Sequence, residues 1–254
     1  MNAKKLLSLL AVAGIATAFV STPVVLAEPP ADKAPAKQDD TKTKKEKGDK
    51  KDKADKADKK DKEKSKDGEK KKAEATAVAA GSDVAAFTLK DTDGKEHSLA
   101  DLMKDKKAVV LQWFNPDCPF VVKHYGKNST FNDLQTKYGK DVSIVAVCSN
   151  ASGKPGSGVD RNAKAKKDWK IEYPILMDEA GTVGKAFNAK NTPLMAIITP
   201  DNKIAYYGAI DDDTSASGPG KTNYVAKALD EILAGTTVTT QNTKPYGCSV
   251  HYAN

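Results

Sequence analysis

Cysteine and arginine are scarce in this chain. Its 254 residues hold three cysteines, Cys118, Cys148 and Cys248, and one arginine, Arg161. The cysteine spacing matches no zinc-binding pattern, which removes the small zinc-ribbon classes. No internal repeat is present, which removes the solenoids. Residues 28–76 contain no aromatic residue and no Val, Ile or Leu. Such a stretch cannot bury enough apolar surface to offset the entropy of ordering, so a disordered linker is expected over residues 28–78. Its charge is mixed, 18 Lys against 14 Asp plus Glu. With the two lysines at positions 4 and 5, it carries nearly all of the formal +7, leaving about +1 for the remainder. The basic balance therefore belongs to the leader and a solvated spacer, and no nucleic-acid partner is expected.

The first 27 residues read as a signal peptide. Met1–Lys5 is a basic start, residues 6–26 are mostly small and apolar, and Val25-Leu-Ala27 fits the small-residue cleavage rule. An extracytoplasmic location, periplasmic or secreted, follows as an expectation. The competing reading is an uncleaved segment, since the apolar run is long enough to span a bilayer, and membrane association would then come from it alone. Export places the cysteines where disulfides persist, and an odd count leaves one unpaired in a monomer.

Residues 79–254 have the size of one domain. Strand patterns fall at 83–89, 95–99, 107–114, 142–148, 173–177, 194–198 and 203–207, with a turn at Asp91-Thr-Asp-Gly94 and another at Pro200-Asp-Asn202. Helical patterns follow Ser98, run over 120–138 with a break near Gly126, and recur at 160–169, 182–187 and 224–233. The alternation predicts an α/β fold, a central mixed sheet flanked by helices.

The chemistry concentrates at Cys118. The apolar strand pattern ends at Asn115-Pro116, and Cys118-Pro119 leads into an amphipathic stretch. A cysteine at that junction caps a new helix and faces its free N–H groups, whose dipole favours the thiolate that attacks disulfides and peroxides. The adjoining turn predicts surface exposure. Asp117 acts in the opposite sense, because a neighbouring carboxylate disfavours a second negative charge. Cys148 ends a strand and reads as a core residue. The tail Lys244–Tyr252 carries Pro, Tyr and Val, a composition able to pack back as an ordered segment.

From about Gly81 onward the chain resembles the thioredoxin-like redoxins, the grouping that also holds the alkyl hydroperoxide reductase/thiol-specific antioxidant domains. The resemblance rests on Trp113–Pro119, Asn191–Asp201, Tyr207–Asp212 and Thr243–Tyr252. It implies a thioredoxin-like fold and a cis proline at Pro193, which with Thr192 and Pro119 would shape a substrate groove beside Cys118. Two departures stand out. Val121 occupies the place of the second cysteine of Cys-x-x-Cys, and Leu111 and Asn115 replace the Pro and Thr of the peroxidase motif. Peroxidases of this kind also use an arginine near the cysteine, whereas Arg161 lies far along the chain. The resemblance further implies that the second cysteine has moved to the tail, pairing Cys118 with Cys248. Closing a loop of that length stabilises an oxidised form by about 5 kcal/mol in the chain-entropy picture.

The expected function is an exported redox protein with antioxidant activity in cell redox homeostasis. Cys118 is the thiolate nucleophile in thiol–disulfide exchange or hydroperoxide reduction, and Cys248 resolves. Its partners would be a protein or small-molecule disulfide or hydroperoxide and an external thiol donor, with no cofactor and no metal. One alternative is a non-catalytic scaffold with Cys118–Cys248 as a structural disulfide. Another is copper handling through the two thiols with His124 and His251. His97 reads as a surface residue at a strand end. Asp211-Asp-Asp213 reads as a solvated acidic turn, since it lacks the calcium-loop pattern.

Overall fold

The computed structural model describes residues 78–253. The leader expected over 1–27 and all but the last residue of the linker expected over 28–78 lie outside the described residues. Among the described residues no helix is long and apolar enough to cross a membrane.

The chain opens with an antiparallel hairpin, β1 (Thr88–Asp91) and β2 (Glu96–Ser98), turning where Asp-Thr-Asp-Gly predicts. Ser98 caps α1 (Leu99–Met103), its side-chain oxygen accepting from the Asp101 N–H. The central strands are β3 (Ala108–Trp113) and β4 (Val142–Cys148), which run parallel. β5 (Ile175–Met177) extends the parallel set. Two antiparallel strands, β7 (Met195–Ile198) and β8 (Ile204–Gly208), close the other side. The seven-stranded order is β2-β1-β5-β4-β3-β7-β8. β3 is buried along its whole length because helices cover both faces. Ala108 and Val110 face one core, with α3 (Thr130–Tyr138), α4 (Val159–Asp168) and α6 (Tyr224–Leu233). Val109, Leu111 and Trp113 face the other, with α1 and α5 (Thr182–Ala186). The mixed sheet flanked by helices is the expected fold class.

The helical pattern over 120–138 forms two helices, α2 (Pro119–Tyr125) and α3. The break falls at Gly126–Ser129, where the Asn128 amide donates to the Lys123 carbonyl and satisfies the end of α2. A second sheet of two short strands, β6 (Asn191–Thr192) and β9 (Cys248–Ser249), was not foreshadowed by any local pattern. Its pairing is antiparallel, with Thr192 opposite Cys248. This small sheet fastens the C-terminal tail to the core and positions the site.

Candidate active site

Cys118 is the N-cap residue of α2, and Pro119 holds the first helical position, where its missing N–H costs nothing. Asn115 shapes the preceding turn, its side-chain oxygen accepting the Asp117 N–H at 2.8 Å. The approach of the 150–158 loop to Asn115 requires glycine at 156, where φ is +74° and a Cβ would lie 1.9 Å from that oxygen.

Cys118 differs from expectation in two ways. It is 1% exposed, although turns of this kind lie at the surface. Its side chain makes no capping bond to α2. Instead the Cys118 thiol donates to the Thr192 carbonyl at 3.1 Å, and its sulfur lies 2.7 Å from that of Cys248. The Phe120 N–H at the start of the helix favours a thiolate at Cys248. Burial, reinforced by the hydrogen bond and charge of Cys118, pushes the Cys248 thiol up to about 12.

The tail thus covers the cysteine. Its closest approach is at Gly247, where φ is +109° and a Cβ would stand 2.0 Å from the Thr192 carbonyl oxygen. The Thr192–Pro193 peptide is cis. Thr192 and Pro193 are buried and Pro119 is exposed, so the tail occupies the space beside Cys118 that the resemblance assigned to substrate. Val121, in the place of a second helix cysteine, is a fully buried core residue. Cys148 is likewise buried, its thiol donating to the Gly156 carbonyl at 3.4 Å, and burial raises its pKa.

Anchors lie on both sides of Cys248. Upstream, the Tyr246 hydroxyl donates to Asp211 at 2.5 Å and stands 3.1 Å from His124 Nε2. Its ring lies 5.9 Å from that of Phe120 and carries the Lys123 ammonium 4.7 Å above its centre. Downstream, the His251 N–H donates to Asn150, the Ala151 N–H donates to the His251 carbonyl, and Val250 packs into the core facing α1 and α5.

Three side chains at the upstream anchor, and His97 elsewhere, correct or enlarge the sequence reading. Asp211 is 2% exposed, not a solvated turn residue. Its carboxylate accepts from Tyr246, from the Gly220 N–H at 2.6 Å and from the Asp213 N–H at 3.2 Å, donors that replace water. Lys123 is fully buried, donating to the Asp213 and Ser215 carbonyls at 2.6 and 2.8 Å, and burial lowers its pKa. His124 is also fully buried. Burial lowers its pKa to about 4 against the opposing pull of Asp211. The neutral tautomer that fits donates from Nε2 to the Tyr246 oxygen and accepts at Nδ1 from the Thr130 hydroxyl, 3.2 Å away. His124 and His251 have separate neighbours, and among the described residues no group of three or more His, Cys, Asp or Glu is placed to hold a metal. His97 is mostly buried and bonds Asp91 at 2.7 Å, so it is not a free surface residue.

Arg161 is distant in sequence and adjacent in space. Its guanidinium reaches Asp117 at 2.7 Å and the Pro116 carbonyl at 2.9 Å. The carboxylate beside Cys118 therefore has a cationic partner. The sequence reading assigns no role to Tyr246 or Lys123, and sets Asp211 aside as a solvated turn residue and Arg161 as remote. The one available signal was a Lys-His pair inside an otherwise apolar helical stretch.

The sequence model of the Redoxin family matches residues 79–225. Thiol-disulfide oxidoreductase ResA of Geobacillus thermodenitrificans is 27% identical over 131 residues, 52% of this chain and 70% of the relative. The ResA of Bacillus subtilis is 25% identical over 128 residues, 50% of this chain and 66% of the relative. Among solved structures, an uncharacterized conserved protein from Geobacillus kaustophilus is 30% identical with a TM-score of 0.62, covering 70% of this chain and 94% of that one. A hypothetical protein from Sinorhizobium meliloti 1021 is 27% identical with a TM-score of 0.63, covering 70% and 97%. Its fold is thioredoxin-like, and the chain belongs to the Redoxin family.

Proposed function

We propose that this protein is an exported thiol–disulfide oxidoreductase whose working pair is Cys118 and Cys248. The observation that carries the reading is the 2.7 Å separation of two sulfurs 130 residues apart in sequence. Cys118 attacks the substrate disulfide, forming a mixed disulfide and releasing one substrate thiolate. Cys248 gives up its proton and attacks the Cys118 sulfur, releasing the second substrate thiolate and closing the Cys118–Cys248 bond. The substrate is reduced by two electrons and the pair is oxidised by two. A thiol held up to about 12 stays protonated at neutral pH, which suits Cys248 to the second step and leaves the first to Cys118. Disulfide exchange is favoured over hydroperoxide reduction because the Arg161 guanidinium is committed to Asp117 and Pro116. An external thiol donor resets the pair. Export is supported by the basic start, apolar run and Val25-Leu-Ala27 site.

One observation favours a second reading, a structural staple without turnover: Cys118 is 1% exposed, so the tail must lift before a substrate reaches it. Turnover of a model protein disulfide separates the two. Cys118→Ser abolishes it, while Cys248→Ser retains the first step and accumulates a mixed disulfide at Cys118, seen as a mass increment in the intact protein. A wild-type protein that reduces no disulfide, with both cysteines reactive only after unfolding, is a staple.

A further inference from the structure

The two sulfurs of the pair differ in their access to solvent. Cys118 is 1% exposed and bonded to the Thr192 carbonyl, whereas Cys248 is half-buried. The line joining them therefore runs from the interior towards the surface. Displacement at a disulfide sulfur proceeds in line, with the incoming thiolate opposite the departing sulfur. Of the two in-line approaches, the one onto Cys118 starts inside the protein and the one onto Cys248 starts near solvent. Around Cys248 the chain presents exposed Pro119, Lys244 and Ser249 and half-buried Phe120. The exposed carboxylate of Asp117, one position before Cys118, is paired with the Arg161 guanidinium at 2.7 Å.

We propose that electrons enter the oxidised pair at Cys248, so that the tail, not the helix cysteine, is the landing site for the reducing partner. The inference rests on the reading of Cys118 and Cys248 as an exchange pair. A donor thiolate bonds to the Cys248 sulfur, the Cys118–Cys248 bond breaks, and the electron pair departs on Cys118. A second donor thiolate then attacks the donor sulfur of the mixed disulfide. Cys248 leaves as a thiolate and takes a proton from water. One donor disulfide forms for each protein disulfide lost, with two electrons transferred. In the order proposed, Cys248 leaves only after its bond to Cys118 has gone and the tail is released from that link.

The partner chemistry is a thiol donor that docks at the tail surface. The two halves of the cycle then use different sulfurs, Cys118 for the substrate disulfide and Cys248 for the reductant.

Reduced glutathione is a sufficient probe. Oxidised full-length protein is mixed with a small excess of it, quenched in acid within seconds, alkylated with N-ethylmaleimide and mapped by peptide mass. The expected result is glutathione on Cys248 and maleimide on Cys118, in at least tenfold excess over the reverse arrangement. Glutathione found mainly on Cys118, with Cys248 alkylated, overturns the inference while leaving the exchange pair intact. If the oxidised protein contains no Cys118–Cys248 bond, or if neither cysteine accepts glutathione before unfolding, the exchange pair falls and the inference falls with it.

Discussion

At the scale of single residues, the site depends on groups whose importance is set by what they meet in space. Cys118 and Cys248 were legible as neighbours only through the resemblance to the redoxins, and their sulfurs lie 2.7 Å apart. Gly247 was not, because its need for a positive φ and a close approach to Thr192 arises only when the tail returns to the core. Gly247→Ala is expected to cost about 1–3 kcal/mol through backbone strain and the clash with the Thr192 carbonyl. The tail should loosen, and alkylation of Cys118 in the reduced protein should accelerate by roughly tenfold or more. An unchanged alkylation rate would mean that the tail does not govern access. Tyr246→Phe removes one of two donors from a buried Asp211 oxygen and leaves the His124 N–H without its acceptor. A loss of about 1–3 kcal/mol is expected, read as a Tm lower by several degrees. Asp211 itself shows why three consecutive aspartates were misleading. Charge predicts solvation unless donors are supplied, and here Tyr246 and two backbone N–H groups supply them.

At the scale of elements, strands with strong apolar patterns were readable to the residue, as β4 over Val142–Cys148 shows, and so was the Ser98 cap. The pairing of β6 with β9 was not, because two-residue strands carry no periodicity and their partners lie 56 residues apart. Arg161 was opaque for the same reason, its contact to Asp117 spanning 44 positions. Helix α2 links the cysteine at its start to the buried Lys123 and His124 near its end, and those hold the tail through Tyr246. This gives the element a pH signature. The His124 pKa falls from 6.5 to about 4 on folding. Between those values the unfolded chain binds a proton that the folded chain does not, so stability rises with pH across the window. The contribution is complete above 6.5 and is lost as pH falls through about 4. Asp91, also lowered, acts below its ordinary 3.8 and does not overlap this window. The Tm of the wild-type protein should therefore decline from pH 6.5 to 4 more steeply than that of His124→Gln, whose amide retains one donor and one acceptor. Parallel declines would exclude His124 as the source.

At the scale of the whole molecule, composition alone predicts a leader and a charged spacer before the Redoxin-family domain. Deleting residues 28–76 should leave the domain's Tm unchanged within error in a thermal melt, because that stretch has no aromatic, Val, Ile or Leu residue to contribute to a core. A drop of several degrees would show that the stretch docks on the domain. The α/β class was legible from strand–helix alternation, and the thioredoxin-like fold from the resemblance carried by the residues around Cys118 and Pro193. The covering of Cys118 by the tail was not, since it requires the return of Gly247, Cys248 and Ser249 to the cis-proline segment. Cys248 and the Cys118 it covers are proposed to form a working couple. The reduction potential of the Cys118–Cys248 pair, measured by equilibration with thiol–disulfide buffers and mass spectrometry of the trapped states, tests it most directly. A working couple is expected above about −300 mV, with the bond mapped between Cys118 and Cys248. A potential well below about −300 mV, or a bond between Cys118 and Cys148, would contradict it.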